Sequence, residues 1–334
     1  MPKNLASIII VNWNGKRFLR KCLSALYGQS FTDFEVILVD NGSTDGSQSF
    51  VRENFPAVNL IPLSRNIGFS PANNIGISHS TSKYIITLNN DTTAAHDWLE
   101  HLLAVAEREN VDMVASKMIY DLGDRTVIDS VGLRLCKNGL GINVGNGEVD
   151  RGQYDNLTEV FAPCAGAALY RREMLEDIGM FDTDYFAYYE DLDLGWRARL
   201  AGKRCKPASD AVVYHHHSGS SSGKKDYFLH RNKILTLIKN LPKKLFLKYF
   251  PEIVSTDVMA SAYSIISGNE FLTVQAKIDA LKLLPKMWHK RKRIQSHKKI
   301  SDKELERWFH DGESLMNILK RRATVNGIRQ KQIS

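Results

Sequence analysis

The chain has 334 residues, 45 Lys+Arg against 37 Asp+Glu, and a formal net charge of +8. A 43% hydrophobic content with 25% charged residues supports a sizeable core and excludes a disordered or fibrous chain; the length suits two domains, or one with an extension. No apolar run approaches the ~20 residues that cross a bilayer. The early run Leu5–Val11 is too short for a leader, and Cys22, Cys136, Cys164 and Cys205 lack CxxC spacing, so a reducing, cytoplasmic setting without a zinc ribbon is expected.

Strands and helices alternate through the first 120 residues. Leu5–Val11 predicts a strand that ends at Asn12-Trp13-Asn14-Gly15, and Phe18–Tyr27 has helical apolar spacing. Phe34–Val39 is a second strand ending in Asp40-Asn41-Gly42-Ser43, with a helix over Asp45–Phe55. Val58–Leu63 is a third, followed by Arg65-Asn66-Ile67-Gly68 and a helix from Pro71, where proline's missing N–H has no partner to lose. Tyr84–Leu88 ends in Asn89-Asn90-Asp91; a helix over Trp98–Glu107 and a strand over Val111–Met118 follow. Short links of this kind predict a parallel, doubly wound α/β sheet. Its ligand belongs beyond the carboxyl ends of the strands, where the polar clusters fall.

The usual phosphate loops, GxGxxG after the first strand and GxxxxGK[ST], are missing, which disfavours a dinucleotide dehydrogenase and a P-loop enzyme. A nucleotide must then be held by strand-end side chains. Asp40 and Asp91 are the candidates, one to accept hydrogen bonds from a base or ribose, the other to hold a divalent cation against a diphosphate. Either also suits a turn or a helix cap.

Beyond residue 120, glycines from Gly132 to Gly152 punctuate short strand-like pieces, and Cys164-Ala165-Gly166-Ala167-Ala168 is a small-residue strand. Glu190-Asp191 precedes an amphipathic helix; both acids also suit a helix N-terminus. Val212-Val213-Tyr214 leads into His215-His216-His217, where His215 and His217 share one face of a strand. A Gly/Ser stretch over 218–223 reads as a linker or a lid.

These segments, in this order, resemble family 2 glycosyltransferases. The resemblance rests on Ile8–Asn14, Val39–Ser47, Arg65–Phe69, Leu88–Asp91, Cys164–Ala167, Phe181-Asp182, Tyr189–Arg197 and Val213–His217, and covers about residues 5–220. Within the family it is similar to bacterial rhamnosyltransferase-like enzymes of surface polysaccharide assembly. It implies a GT-A fold with a mixed, Rossmann-like central sheet, and an inverting transfer from a nucleotide-diphosphate sugar, dTDP-rhamnose first, to a glycan or lipid-linked glycan. It assigns Asn12, Trp13, Asp40, Arg65, Asn90 and Asp91 to the nucleotide sugar. Asn89-Asn90-Asp91 stands at the family's DxD position with Asn for the first Asp, leaving Asp91 for Mg²⁺ or Mn²⁺. A histidine completes that site, His215 first and His217 next. Asp191 becomes the base, with Glu190 as support or alternative. Other readings are a hexosyl or hexosaminyl transferase of the same family and a non-catalytic nucleotide-sugar binding module.

The charge is segregated: residues 224–334 hold 24 basic and 10 acidic residues, or +14, leaving −6 for residues 1–223. This divides the chain into a catalytic part over 1–223 (a nucleotide-binding half to 120, an acceptor and catalytic half after it) and a basic helical extension over 224–334. Helices are predicted over Asp226–Leu241, Lys243–Phe250, Ala276–His289 and Asp302–Arg322. Trp288 beside Lys290-Arg291-Lys292-Arg293 suits peripheral attachment to an anionic membrane, at the inner face of the cell membrane. Packing on the catalytic part with a solvated basic face suits it equally. Nucleic-acid binding has no RRM, KH or zinc-finger pattern to support it.

Overall fold

The structure, a computed structural model, describes residues 4–120, 122, 126–216, 224–266, 268, 270–312, 321, 323–325 and 327. The first elements are β1 (Ala6–Asn12), α1 (Lys16–Tyr27), β2 (Phe34–Asp40), α2 (Ser47–Asn54), β3 (Asn59–Pro62), α3 (Phe69–His79) and β4 (Tyr84–Asn89). Then come β5 (Thr92–Ala94), α4 (Trp98–Arg108) and β6 (Met113–Tyr120). β1 to β4 are parallel in the spatial order β3-β2-β1-β4. β1 is covered on both faces, which is why its sequence is apolar almost without alternation. Ile8 and Ile10 pack on one side with Leu19 and Leu23 of α1 and Leu102 of α4. Ile9 faces the other side with Ile37 and Ile85. Gly76 lets α3 lie close on that side, since a Cβ there would stand 2.5 Å from Ile9 Cγ2.

The second half departs from the parallel expectation. β7 (Val127–Ser130), β8 (Leu133–Cys136) and β9 (Gly141–Asn143) precede β10 (Ala167–Arg171), α5 (Arg172–Ile178), α6 (Glu190–Leu200) and β11 (Cys205–His215). β10 lies between β4 and β6 and runs antiparallel to both. The chain reaches it from the carboxyl end of β4, with Ala167 opposite Leu88, so it can only run back down the sheet. β11 continues parallel to β6, and β5 and β7 add antiparallel edges. The result, among the described residues, is a nine-stranded mixed sheet.

Six further elements follow: α7 (Lys225–Asn240), α8 (Lys243–Ile266), α9 (Glu270–Lys282), α10 (Leu284–Ser296), α11 (Asp302–Glu306) and β12 (Phe309–His310). Three differ from the periodicity. α8 continues past Phe250 through Pro251 to Ile266. The stretch expected as one helix over Ala276–His289 is two, because Pro285 cannot extend α9 and instead sits in the first turn of α10. The last expected helix, over Asp302–Arg322, opens with a capping box at Ser301 and Glu304 but is interrupted after Glu306, and its residues 313–320 and 322 lie outside the described residues. Its chain then pairs with β8, burying Phe309 against Trp196. No helix among the described residues is long and apolar enough to cross a membrane.

The two parts separated by charge share one core. Leu237, Leu241, Tyr249 and Leu305 pack with Leu135, Leu192 and Trp196. Ion pairs cross the same boundary. Lys239, 1% exposed, reaches Asp182 at 2.5 Å and Asp193 at 2.7 Å. Asp193 also accepts from Arg197 and Asn240. Lys290 pairs with Asp182 and Asp184, and Lys286 with Asp184. Burial would raise the Asp182 carboxyl, but Lys239 and Lys290 hold it well below the usual range. Part of the predicted basic cluster is therefore consumed internally, and Arg291 donates to the carbonyls of Ile238 and Leu241. Removing one member of a buried ion pair leaves its partner uncompensated. Lys239→Met is expected to cost about 3–5 kcal/mol in a denaturant melt, whereas the exposed Lys292→Met is expected to cost nothing measurable.

Candidate active site

The connections diverge between β1 and β4: the chain leaves β1 toward β2 and β3 on one side and places β4 on the other. Such a switch point opens a crevice at the carboxyl ends of the strands. Asn12 lies at its centre. Its Nδ2 donates to Asp40 Oδ2 at 2.9 Å and to Ser43 Oγ at 3.1 Å, and its Oδ1 accepts from Asn90 Nδ2 at 2.7 Å. Asp40 is fully buried and also accepts from Ser43 N and Gln48 Nε2. Gly15 is required here, because a Cβ would stand 2.1 Å from Asn90 Nδ2. Trp13 is half-buried on the loop after β1, next to Asn14 in the left-handed region at φ 51°. Arg65 is exposed, with its backbone packed under Gly42.

Asp91 follows β4, 5% exposed. His215, the last residue of β11, brings Nε2 to 3.3 Å from Asp91 Oδ1 and Nδ1 to 2.8 Å from Asp129 Oδ2. Burial alone would lower the imidazole, but the two carboxylates outweigh it and push its pKa up to about 10. His216 points elsewhere, toward Thr93 and Phe18. His217 and the Gly/Ser stretch lie outside the described residues.

Asp129 was not among the expected residues. It is 2% exposed, and Asn146 Nδ2 donates to its Oδ1 at 3.1 Å. Its signal was an acid inside the apolar run Val127-Ile128-Asp129-Ser130-Val131, where a charge needs a partner.

Glu190 and Asp191 open α6. Tyr188 and Tyr189 both sit at positive φ, 68° and 70°, a conformation costly for aromatic residues. The tight turn they make starts the helix at the two acids. Asp191 accepts from Leu192 N at 2.8 Å and from Ala165 N at 3.3 Å. The adjoining Gly166 carbonyl accepts from Asn89 N, so the short backbone stretch just before β10 links Asp191 to the Asn89–Asp91 turn. A Cβ at Gly166 would meet Met118 Cε at 2.9 Å and Asn89 Nδ2 at 3.1 Å. Glu190 Oε2 is buried and, among the described residues, has no hydrogen-bond partner. Burial, and then the Asp191 charge, push Glu190 up to about 8. Burial raises Asp191 as well, but its backbone N–H partners oppose the rise. Burial raises both acids, but Asp191 has the N–H groups of Leu192 and Ala165 on its carboxylate to favour the charged form.

A metal fits this donor set. Asp91 and His215 Nε2 would be its protein ligands, with Asp129 on Nδ1–H fixing the ring, as second-shell carboxylates do. No group of three or more His, Cys, Asp or Glu side chains among the described residues is arranged to hold an ion alone. That suits a cation completed by phosphate and water.

Residues 7–179, just over half of the chain, match Glycosyl transferase family 2. The chain belongs to that family. It is similar to the N-acetylglucosaminyl-diphospho-decaprenol L-rhamnosyltransferase of Mycobacterium tuberculosis (strain CDC 1551 / Oshkosh), 26% identical over 230 residues, covering 62% of this chain and 75% of the relative. Of three other curated relatives it spans 25%, 66% and 33% of their own lengths. The fold is similar to S. aureus TarS 1-349 in complex with UDP-GlcNAc, with a TM-score of 0.56 at 19% identity over 87% of this chain and 88% of that one. It is also similar to the mannosyltransferase PcManGT from Pyrobaculum calidifontis, in complex with GDP-Man and Mn²⁺, with a TM-score of 0.51 at 19% identity over 89% and 86%. This family 2 glycosyltransferase therefore has the GT-A fold.

The raised pKa of Glu190 makes stability pH-dependent. A raised carboxyl stabilises the fold fully below about pH 4.5, its ordinary value, and that contribution is lost as pH rises through about 8. Glu190→Gln is expected to melt like the wild type near pH 5 and a few degrees higher at pH 9. Thermal melts across this range check it, and parallel curves would reject the burial effect.

Proposed function

We propose that this chain is an inverting glycosyltransferase that moves a sugar, rhamnose from dTDP-rhamnose first, to a hydroxyl of a glycan or lipid-linked glycan in surface polysaccharide synthesis. The observation that carries the reading is the link through Ala165 and Gly166 between the Asp191 carboxylate and the Asn89–Asp91 turn. It supports a reading in which Asp191 is the base and the neighbouring turn around Asp91 holds the diphosphate.

The Asp191 carboxylate takes the acceptor hydroxyl proton as that oxygen bonds to the anomeric carbon. The bond from the anomeric carbon to the diphosphate oxygen breaks, and the nucleoside diphosphate leaves with its electron pair. Attack from the face opposite the leaving group inverts the configuration. Asp91 and His215 would hold a divalent cation, Mg²⁺ or Mn²⁺, which would supply positive charge beside the departing diphosphate. Asn12 and Asn90 orient the turn that carries Asp91, while Asp40 acts from beneath by fixing Asn12 and Ser43. Trp13 and Arg65 border the crevice from the loops after β1 and β3. The dTDP-rhamnose assignment draws on the mycobacterial relative; the UDP-GlcNAc bound to TarS makes a hexosaminyl donor the second to test. Placement is peripheral, on the cytoplasmic face of an anionic membrane.

Asp191→Asn is expected to bind donor as the wild type does and to lose transfer by ~10²–10⁴-fold. Isothermal titration and a transfer assay check the pair, and wild-type turnover would sink the base assignment. Asp91→Ala is expected to lose the Mn²⁺-dependent part of donor binding, read by titration with and without the metal. Affinity unchanged by both metal and substitution would reject that role.

A further inference from the structure

α8 and α9 are antiparallel neighbours, joined by Lys277, whose Nζ reaches Asp257 at 2.6 Å and Ser261 at 2.7 Å. Each turns one face to the body. α8 packs through Leu245, Tyr249 and Ile253, and α9 through the fully buried small residues Ala276 and Ala280. The opposite faces are apolar rather than polar. On α8, Leu247, Phe250, Val254, Val258 and Ile265 recur three, four or seven residues apart and are all exposed. On α9, Phe271, Val274, Ile278 and Leu281 do the same. At the turn between the helices, Ile266 is 84% and Phe271 75% exposed. Residues 258–276 contain one charged residue, Glu270.

A surface helix normally shows charge to water, and one apolar on both faces is covered on both. The described part of the C-terminal segment does not supply the cover, because Val325 packs on Tyr120 and Val127 instead. Charge decides the occupant. Exposed Lys243 and Lys244 stand at the start of the α8 stripe, with Lys248, which pairs with Glu306, beside them and Lys282, which pairs with Asp279, at the end of the α9 stripe. A second copy of this face would bring the same lysines, within a region of net charge +14. An anionic lipid surface complements both features, taking apolar side chains into the acyl boundary and lysines at the headgroups.

We infer that the outer face of the α8–α9 pair is a monotopic membrane-docking surface for anionic lipid. The inference rests on the peripheral placement proposed above and is independent of sugar transfer. It moves the contact away from the cluster around Trp288, where Lys286, Lys290 and Arg291 are engaged with the body.

The test is co-sedimentation of the full chain with vesicles of phosphatidylglycerol and phosphatidylcholine in equal parts, and with phosphatidylcholine alone. The wild type is expected to bind the anionic vesicles and to leave the neutral ones largely unbound. The double variant Ile266→Glu/Phe271→Glu, at positions too exposed to affect folding, is expected to lose at least about ten-fold in partition, with unchanged melting. Lys243→Glu/Lys244→Glu is expected to lose about ten-fold on anionic vesicles. Wild type that fails to sediment with anionic vesicles overturns the peripheral placement and the inference together. Equal binding by wild type and Ile266→Glu/Phe271→Glu overturns this surface alone. Self-association abolished by that variant, without vesicle binding, overturns it in favour of a second copy.

Discussion

Asp40 gathers the crevice end of the sheet around one buried carboxylate. It accepts from Asn12 at the end of β1, from Ser43 in its own loop, and from Gln48 in α2. A charge taken out of water is tolerated only when such donors replace its hydration. Each bond to an ionised group is worth ~1.5–3 kcal/mol, so the three are mutually dependent. Through Asn12 the constraint passes to Asn90, and so to the turn that ends in Asp91. The loops after β1 and β2 are further stitched by Asn14, which donates its N–H to Ser43 Oγ and accepts from Thr44 N. The polar groups of the crevice are thus aligned by bonds made within the protein.

The net charge of +8 conceals how the acids and bases are used. The acidic body, at −6, holds three kinds of carboxylate. Asp40 is satisfied by neutral donors. Asp182, Asp184 and Asp193 are neutralised by lysines and an arginine, and these pairs fasten α7 and α10 to the body. Glu190 and Asp191 have no cationic partner among the described residues, and their burial raises both carboxyls. The excess of the basic region is thereby divided too, between structural lysines beneath α7 and α10 and exposed ones around α8 and α9.

Much of this was legible in the sequence. The alternation from β1 to β6 is read from apolar runs closed by polar clusters, and those clusters do line the crevice. His215 joins Asp91 as its place after an apolar strand suggested, and the Glu190-Asp191 pair does open a helix. What escaped is set by contacts distant along the chain. β10 is antiparallel because of the end from which the chain reaches it, which no local pattern records. Asp129 reaches His215 from a four-residue strand 86 positions earlier. Asp40 is legible as a strand-end acid, but its partners Asn12 and Gln48 lie on other segments that no local pattern ties to it. The helices after residue 240 were read too short or too long because periodicity does not show that Phe309 prefers a β pairing over another helical turn.

The strain before α6 shows what the fold spends on position. Two consecutive aromatic residues at positive φ are expected to cost ~1–3 kcal/mol each, so the surroundings must overdetermine the turn. They do so from the C-terminal helices: Asn232 of α7 donates to the carbonyls of Ala187 and Tyr188, and Arg231 to that of Asp184. Phe186 stacks on Phe228 at a centroid distance of 5.2 Å. The basic region therefore does more than pack on the body. α7 forms the back of the turn that presents Glu190 and Asp191, so a catalytic part cut at residue 223 would keep the crevice residues but lose the support that aims its acids.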